Sequence, residues 1–315
     1  PSPVESRSHY SDLNLKDKID QVEGDITNRN KLISIVKDFK PDYVFHLAAQ
    51  ALVRPSYEDP FHTFETNVMG SVNLLDAVLA AGSVRSLVFI TSDKCYENNE
   101  WIWGYRENDK LGGRDPYSAS KAAAEHVFSA YYQSFITKIG TLGAASVRAG
   151  NVIGGGDWAI DRIVPDCVRS IEGNLPIILR NPHATRPWQH VLEPLSGYIL
   201  LALELYDNPS EYSGAWNFGP STYETATVED VANSVVRHFR KGSIIKETNL
   251  MQPHEAGLLQ LNCDKAHQML KWKPTWGIDK TFNITADWYK RVLSGENAEK
   301  VTQEHIDEYF GDMND

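Results

Sequence analysis

The sequence predicts an α/β protein in which a doubly wound parallel sheet is joined to a smaller carboxyl-terminal domain that faces a substrate. Two observations lead to this prediction. Short apolar runs alternate with longer amphipathic stretches through the first half of the chain, as in parallel strands covered by helices. After about residue 153 the elements become shorter and richer in Pro, Gly and Trp, which indicates a second region of different architecture.

The first predicted elements form a strand–helix–strand unit. Residues 21–26 resemble a strand, and residues 30–39 resemble a helix that stops before Pro41. Residues 43–49 are a short apolar run, which is typical of a parallel strand buried on both faces. We therefore expect the two strands to lie in one sheet.

Four further elements continue the alternation. Residues 61–81 form a long amphipathic pattern that predicts a helix, and residues 85–90 form an apolar run with a polar stop that predicts a buried strand. A helix over 116–135 and a strand over 141–148 follow. The pattern predicts one parallel sheet with helices on its faces.

Composition limits the class of protein. The chain has 315 residues, 42% of them hydrophobic, with a formal net charge of −11 and a pI of about 5.4. Nucleic acids and acidic membranes attract basic surfaces, so neither is an expected partner. Cys95, Cys167 and Cys263 are scattered, so neither a disulfide framework nor a zinc site is predicted. We expect a cytoplasmic protein, because the sequence has no secretory or long apolar segment.

A glycine fingerprint is missing from the sequence. Dinucleotide-binding sheets begin with a strand, a glycine-rich turn and a helix. Gly154-Gly155-Gly156 follows a later strand and is interpreted as a flexible loop. Either the protein does not bind a dinucleotide, or a first strand–helix unit of roughly 30 residues is absent from the sequence. The alternation of elements favours the second alternative.

Tyr117 and Lys121 are the strongest catalytic candidates. They lie four residues apart at the start of a predicted helix, so both side chains share one face. A free phenol has a pKa near ~10, and a nearby ammonium lowers that pKa by favouring the phenolate. The pair could therefore take a proton from a hydroxyl group. The spacing alone is a weak pattern, and an ordinary helix surface pair is the alternative.

Three polar residues follow the predicted strand 85–90, at the end where open α/β sheets bind ligands. Ser92 can donate to a substrate oxygen and accept from Tyr117. Asp93 and Lys94 are adjacent, so they can reach one ligand only if the strand has already given way to a loop. A solvated turn is the alternative, and the tyrosine–lysine pair downstream favours catalysis.

Six motifs occur in order along the chain: Gly24-Asp25-Ile26, His46-Leu47-Ala48-Ala49-Gln50, Thr66-Asn67-Val68-Met69-Gly70, Thr91-Ser92-Asp93, Tyr117-Ser118-Ala119-Ser120-Lys121, and Arg148-Ala149-Gly150-Asn151-Val152-Ile153-Gly154. In this order they resemble the extended short-chain dehydrogenase/reductases, and specifically the nucleotide-sugar 4,6-dehydratases. Three more segments resemble the members of this family that act on CDP-glucose: residues 92–96, residues 100–107, and Arg180-Asn181-Pro182-His183 with Arg186-Pro187-Trp188-Gln189-His190. The cytidine base rests on this resemblance alone.

The resemblance implies a Rossmann fold, NAD as cofactor and a three-step reaction of deoxysugar biosynthesis, such as that of O-antigen lipopolysaccharide. CDP-glucose would be oxidised at C4, lose water across C5 and C6, and receive the hydride back at C6. Tyr117 would take the C4 hydroxyl proton and Ser92 would hold the C4 oxygen. Asp93 would be the acid at C6 and Lys94 the base at C5, and the reverse assignment stays open because adjacent groups titrate as a pair.

The resemblance also divides the chain. Residues 1–153 with about 192–222 would form the NAD-binding domain, and about 154–191 with 223–315 the sugar-nucleotide-binding domain. Other functions remain open: a dehydratase of dTDP-glucose or GDP-mannose, a nucleotide-sugar 4-epimerase, or a non-catalytic module that senses NAD. A homodimer or homotetramer is expected, since helices 61–81 and 116–135 commonly pair between subunits in this family.

Binding residues are assigned by position in the family motifs. The cofactor contacts would be Asp25, Ile26, Leu47, Ala48, Ala49, Gln50, Ser92, Tyr117, Lys121 and Arg148. A helix cap or turn is the alternative for Asp25, Leu47 is expected to be core in any case, and Asn67 is predicted to be a structural brace. Arginine suits a diphosphate through paired hydrogen bonds. The substrate contacts would be Arg54, Asn151, Arg162, Arg180 and Arg186.

Overall fold

The computed structural model describes residues 7–221, 225–247 and 258–314. The strands of the described residues are β1 Tyr43–His46, β2 Ser86–Ile90, β3 Gly143–Ala149, β4 Val152–Ile153, β5 Ile177–Leu179, β6 Thr185–Arg186, β7 Gln189–His190, β8 Gly214–Phe218, β9 Ala226–Thr227 and β10 Ile244–Lys246. The main sheet has four parallel strands in the order β1-β2-β3-β8.

Helices cover this sheet and build the second region. The α-helices of the described residues are α1 His9–Asp12, α2 Arg29–Phe39, α3 Val53–Glu58, α4 Pro60–Phe64, α5 Gly70–Ala81, α6 Pro116–Ser134, α7 Ile163–Glu172, α8 Leu192–Asp207, α9 Pro209–Tyr212, α10 Val228–Phe239, α11 Ile278–Leu293 and α12 Ala298–Asn314. Glu65–Met69 is a π-helical turn between α4 and α5, and Asp93–Cys95 is a 3₁₀ turn after β2.

The middle of β2 is fully apolar, as the sequence predicts for a buried parallel strand. Leu87, Val88 and Phe89 of β2 are at most 1% exposed, and Val88 lies opposite Ala145 of β3. Burying such a side chain contributes about 1.5–3 kcal/mol. Parallel strands end at the same edge of a sheet, so the segments that follow β1, β2 and β3 lie at one edge.

The predicted strand over 21–26 is wrong. Residues 19–25 have no regular structure, and Ile19 and Val22 remain more than half exposed. A strand needs a hydrogen-bonded neighbour, and none of the described strands pairs with this segment. The strand predicted over 43–49 is shorter than expected and ends at His46.

The other predicted elements are confirmed within a few residues. The helix predicted over 30–39 is α2, and the helix predicted over 116–135 is α6. The helix predicted over 61–81 continues from α4 into α5 through the π-helical turn. The structure thus bears out the parallel α/β prediction for the first region.

The second region holds a separate aromatic core. Trp158, Trp188, Trp288 and Tyr289 pack there with apolar residues of α7, α10 and α11. Short strand pairs, β5 with β10 and β6 with β9, lie beside these helices. None of the helices within the described ranges has both the length and the apolar character that a membrane span requires. All three cysteines are free and buried.

Candidate active site

The end of β2 has already left strand geometry where the predicted catalytic residues begin. Ser92 is extended and caps the 3₁₀ turn, because its hydroxyl oxygen accepts a hydrogen bond from the backbone N–H of Lys94 at 3.2 Å. Asp93 and Lys94 lie inside this turn. Asp93 and Lys94 can therefore reach one ligand, because adjacent residues in a turn, unlike those in a strand, need not point to opposite faces.

The start of α6 is fixed by its own sequence. Asp115 caps the helix, accepting hydrogen bonds from the backbone N–H of Ser118 at 2.9 Å and from its hydroxyl at 2.6 Å. Pro116 occupies the first turn, where its missing N–H costs nothing. Tyr117 and Lys121 follow on one face of the helix and are both buried.

The turn after β2 and the start of α6 converge. The Lys94 amine lies 5.9 Å from the centroid of the Tyr117 ring. The Ser92 side chain acts to lower the pKa of Tyr117, and the charge of the Asp93 carboxyl acts to raise it. Ser92, Asp93 and Tyr117 are each no more than 8% exposed. The structure therefore brings the predicted acid, base and phenol together after β2, with the acid and the phenol buried and Lys94 half-buried.

The pKa of Tyr117 does not follow the prediction. Burial raises the pKa of Tyr117 to about 12, while the Ser92 hydrogen bond and the Arg162 charge act to lower it. Lys121 is not among the main influences on this phenol. The predicted lowering is wrong for the protein without cofactor, because the desolvation of the phenolate outweighs the cations nearby.

Lys121 lies deeper in the same helix face. Burial lowers the pKa of Lys121 to about 8, and the carboxylate of Glu125 acts in the opposite direction. No acceptor among the described residues lies within hydrogen-bonding distance of its amine. A buried amine with unused donors can bind an acceptor that arrives with a ligand.

Asp93 presents an unpaired oxygen. Its Oδ1 accepts from the Ser92 hydroxyl at 3.0 Å, and its buried Oδ2 has no hydrogen-bond partner in the described chain. Burial raises the pKa of Asp93, although Lys94, Ser92 and Arg186 act to lower it. The carboxyl therefore tends to keep its proton, as a general acid must.

Gly150 gives that oxygen its space. A Cβ atom built on Gly150 would lie 3.0 Å from Asp93 Oδ2 and 2.4 Å from Cγ of Pro187. The second distance is too short for carbon atoms, so any side chain here would displace Pro187 or the carboxyl group.

Arg148, predicted to bind the cofactor, has another role. Its guanidinium donates to both carboxylate oxygens of Glu125 at 2.9 and 2.8 Å, to the Tyr96 hydroxyl at 2.7 Å and to the carbonyl of Glu107 at 2.9 Å. Burial acts to raise the pKa of Glu125, but the Arg148 hydrogen bonds lower it overall. The cofactor assignment of Arg148 is wrong, because these groups use its donors beneath the site.

The segment after β1 is suited to a ligand. Ala48 and Ala49 are small and lie past the carboxyl end of β1, where Ala48 is exposed and Ala49 half-buried. Leu47 is 58% exposed, so its predicted place in the core is wrong. Gln50 is less suitable, because its side chain is bonded to Thr63 at 2.9 Å and to the backbone N–H of Leu52 at 2.5 Å.

Asn67 is the structural brace that the sequence predicts. Its amide nitrogen donates to the carbonyl of Gln50 at 3.0 Å and to the hydroxyl of Ser120 at 2.8 Å. Its amide oxygen accepts from the backbone N–H of Gln50 at 2.8 Å. The π-helical turn therefore ties the end of β1 to α6. Together with the Lys121 amine and the small residues past β1, this arrangement fits a dinucleotide at the sheet edge.

Asp25 and Ile26 lie at the margin of this edge. Asp25 Oδ1 accepts from the backbone N–H and the hydroxyl of Thr27, both at 2.8 Å, which is the turn alternative kept open above. These hydrogen bonds also lower the pKa of Asp25. Ile26 packs against Gly70, leaving no room there for a larger residue.

One of the predicted substrate arginines, Arg186, lines an open cleft beside the catalytic candidates. A cleft of about 650 Å³, counted with its open mouth, is lined by Lys94, Arg186, Val53 and Arg114 among others. Arg186 is buried and its charge acts on Asp93. Asn151 follows β3 at the same edge of the sheet and is half-buried.

Two aspartates that the sequence did not single out hold the other arginines. Asp161 Oδ1 lies 3.0 Å from Arg180 and 3.5 Å from Arg54, and Asp157 lies 3.3 Å from Arg162. Glu125 was also missed, although its spacing of four from Lys121 puts it on the catalytic face of α6.

Comparison with known proteins bears on this geometry. The family model described as GDP-mannose 4,6 dehydratase matches residues 3–285. The chain is 47% identical over 307 residues to the CDP-glucose 4,6-dehydratase of Salmonella typhimurium, covering 96% of this chain and 86% of that protein.

Solved structures agree on the fold. The UDP-glucose 4-epimerase of Thermus thermophilus, solved with NAD, superposes with a TM-score of 0.72 at 27% identity and covers 85% of this chain and 83% of its own. A dTDP-glucose 4,6-dehydratase of Streptomyces venezuelae, also solved with NAD, gives a TM-score of 0.73 at 22% identity over 86% and 80% of the two chains.

Proposed function

The chain belongs to the GDP-mannose 4,6 dehydratase family, and on this premise we propose that it converts CDP-glucose to CDP-4-keto-6-deoxyglucose with NAD as cofactor. The observation that carries the substrate is the 47% identity to a CDP-glucose 4,6-dehydratase along 96% of the chain. The reaction is a hydro-lyase reaction, because one molecule of water leaves the hexose.

The buried site supports the first step. NAD, when bound, would supply a hydride acceptor and a positive ring charge. Tyr117 takes the proton of the C4 hydroxyl, and Ser92 donates a hydrogen bond to the same oxygen. Without cofactor the pKa of Tyr117 is about 12, so the phenol is held protonated until a positive charge favours its anion.

The adjacent acid and amine support the elimination. A ketone at C4 makes the C5 hydrogen acidic, since the carbanion is delocalised into the carbonyl. We assign the C5 proton to Lys94 and the protonation of the C6 oxygen to Asp93. This assignment is favoured because burial raises the pKa of Asp93 and leaves its Oδ2 without a partner in the described structure.

The remaining assignments complete the proposal. Residues 1–153 and about 192–222 hold NAD, and the rest of the chain holds the sugar nucleotide. The protein acts in the cytoplasm, in keeping with three free cysteines. It is a homo-oligomer, in keeping with the exposed apolar side chains of Phe61 and Met69 on the predicted pairing helix. Light scattering would measure the subunit number.

A 4-epimerase is the second candidate, since epimerases are among the related folds. An epimerase needs the tyrosine–lysine pair but has no water to eliminate, so the convergence of Asp93 and Lys94 on Tyr117 favours dehydration.

Incubation of the protein and NAD with CDP-, dTDP-, UDP- and GDP-hexoses tests the proposal. We expect a product lighter by one water from CDP-glucose, seen by mass spectrometry. A product of unchanged mass would support an epimerase, dehydration of another nucleotide sugar would correct the base, and no turnover of any sugar would support the NAD-sensing alternative.

A further inference from the structure

A single carboxylate bridges two arginines that belong to different elements of the fold. Asp161 Oδ1 lies 3.0 Å from a terminal nitrogen of Arg180 and 3.5 Å from one of Arg54. Arg54 belongs to α3, beside the main sheet, and Arg180 directly follows β5 of the second region. Two guanidinium groups this close to one atom repel each other unless an anion lies between them.

The bridge is solvated, so it can be exchanged. The side chains of Asp161, Arg54 and Arg180 are between 30% and 37% exposed. Ion pairs of this kind contribute only about 0–1 kcal/mol each, because water and salt compete with them. A ligand with more negative charge can therefore replace the aspartate at little cost.

The backbone presents the carboxylate at a special position. Asp161 has φ +63°, in the left-handed region that most residues with a Cβ avoid. Asp and Asn tolerate this conformation better than other residues. Asp161 lies in the loop between Gly156, which also has a positive φ, and Arg162, which is the N-cap residue of α7.

We propose that Asp161 stands in for the diphosphate of the substrate, holding Arg54 and Arg180 together and releasing them when a diphosphate binds. The inference rests on the proposed function, which supplies a diphosphate-bearing substrate. A diphosphate offers several charged oxygens, so each arginine can form paired hydrogen bonds with it in place of one oxygen of Asp161. Asp161 touches no reacting atom and is a positioning residue.

The carboxylate of Asp161 competes with a diphosphate for the two guanidinium groups. Removal of the charge should therefore strengthen the binding of diphosphates and leave ligands without phosphate unaffected.

The test compares Asp161→Asn with the wild-type protein, because Asn keeps the shape and tolerates the left-handed backbone. Titration calorimetry with inorganic pyrophosphate should show binding about three- to tenfold tighter in the variant, the equivalent of removing one or two exposed ion pairs. Cytidine, which lacks phosphate, should bind equally to both. Glu172→Gln is the matched control, since it removes one negative charge from the exposed pair with Arg7; its pyrophosphate affinity should stay at the wild-type value.

Two further variants make the result specific. In an Arg180→Gln background, Asp161→Asn should give a smaller gain than in the wild type, because one of its two partners is gone. Asp161→Gly also removes the carboxylate, and glycine adopts a positive φ without strain. This variant should show the same increase in pyrophosphate affinity.

Unchanged or weaker pyrophosphate binding in both Asp161 variants would overturn the inference and leave the aspartate as a plain strap between the two regions. The result is separate from the proposed function. Pyrophosphate is common to all nucleotide sugars, so a failure to dehydrate CDP-glucose would not alter the expected gain.

Discussion

The buried end of β2 and the exposed arginine cluster handle charge in opposite ways. Asp93, Lys121 and Glu125 are at most 6% exposed. The side chains of Arg54 and Arg162 are 37% and 40% exposed and are paired with aspartates of one loop. At the end of β2 the protein has replaced the water around its charged groups. Around the arginines, water remains.

The difference separates the control of protons from the capture of substrate. Burial shifts the pKa of a group by disfavouring its charged form, so the buried region sets which groups carry protons. Exposed pairs are weak and exchange with solvent or ligand. Substitutions in the buried region should therefore change chemistry or stability strongly, and substitutions among the arginines should change affinity modestly.

The largest effect is expected from Tyr117→Phe. Loss of a general base costs about 10²–10⁴-fold, and we expect kcat to fall about 10³-fold while the variant still binds CDP. Tyr132→Phe is the control, because this tyrosine lies on the same helix and stacks on Phe128 away from the site. Mass-spectrometric product formation measures both. A Tyr117 variant within tenfold of wild type would remove the phenol from the mechanism.

Lys121→Met should stabilise the protein without cofactor. The pKa of Lys121 falls from 10.5 to about 8 on folding, so the folded state binds fewer protons between those two pH values. Stability therefore rises with pH across this window, and below it the buried charge costs about 3 kcal/mol.

Urea unfolding at pH 7, 8 and 9 measures this effect. The variant should be more stable by about 3 kcal/mol at pH 7, and its advantage should shrink as the pH rises. Lys138→Met, at an exposed lysine, should have nearly the same free energy of unfolding as the wild type at each of these pH values. A variant less stable than wild type at pH 7 would show that the amine is paired in solution.

Lys94→Ala should separate two steps that share one site. We expect C4 oxidation to continue and dehydration to fall by about 10²-fold, because an acid–base group is lost after the ketone forms. Single-turnover product analysis distinguishes a 4-keto product that retains water from the 4-keto-6-deoxy product. Lys110→Ala is the control, at an exposed lysine paired with Glu97. Normal amounts of the 6-deoxy product would exclude Lys94 as the C5 base.

The smallest effect is expected in the exposed region. Arg162→Gln removes one candidate contact to the diphosphate and should raise KM about tenfold, equivalent to 1.4 kcal/mol. The increase should diminish at high salt, because exposed charges are screened. Initial rates with and without added salt measure it, with the exposed Arg106→Gln as the control. A loss of kcat at unchanged KM would instead place Arg162 in the chemistry, through its charge on Tyr117.

Local patterns predicted the elements that carry the candidate site. The segment Asp115-Pro116-Tyr117 contains a helix cap, a first-turn proline and the phenol, and α6 begins there. A polar stop after an apolar run located the end of β2 to the residue. A helix cap, a first-turn proline and the polar end of an apolar run depend on residues that are neighbours in sequence. They can therefore be predicted without a structure.

The features that the sequence could not predict depend on contacts between residues that are far apart in the sequence. Arg148 pairs with Glu125 across 23 positions and with Tyr96 across 52, and no local pattern says which strand residue faces which helix residue. The pKa of Tyr117 was mispredicted because spacing reveals a nearby ammonium but does not reveal how completely burial removes water from the phenol.

The close packing around Gly150 predicts that only glycine is tolerated at this position. The site tolerates no added carbon atom, since Pro187 and the free oxygen of Asp93 occupy the space on that side of the backbone. In a saturation library screened for deoxysugar formation, every functional clone should encode glycine at codon 150, whereas codon 311, whose glycine faces open space without a positive φ, should yield survivors of more than one type.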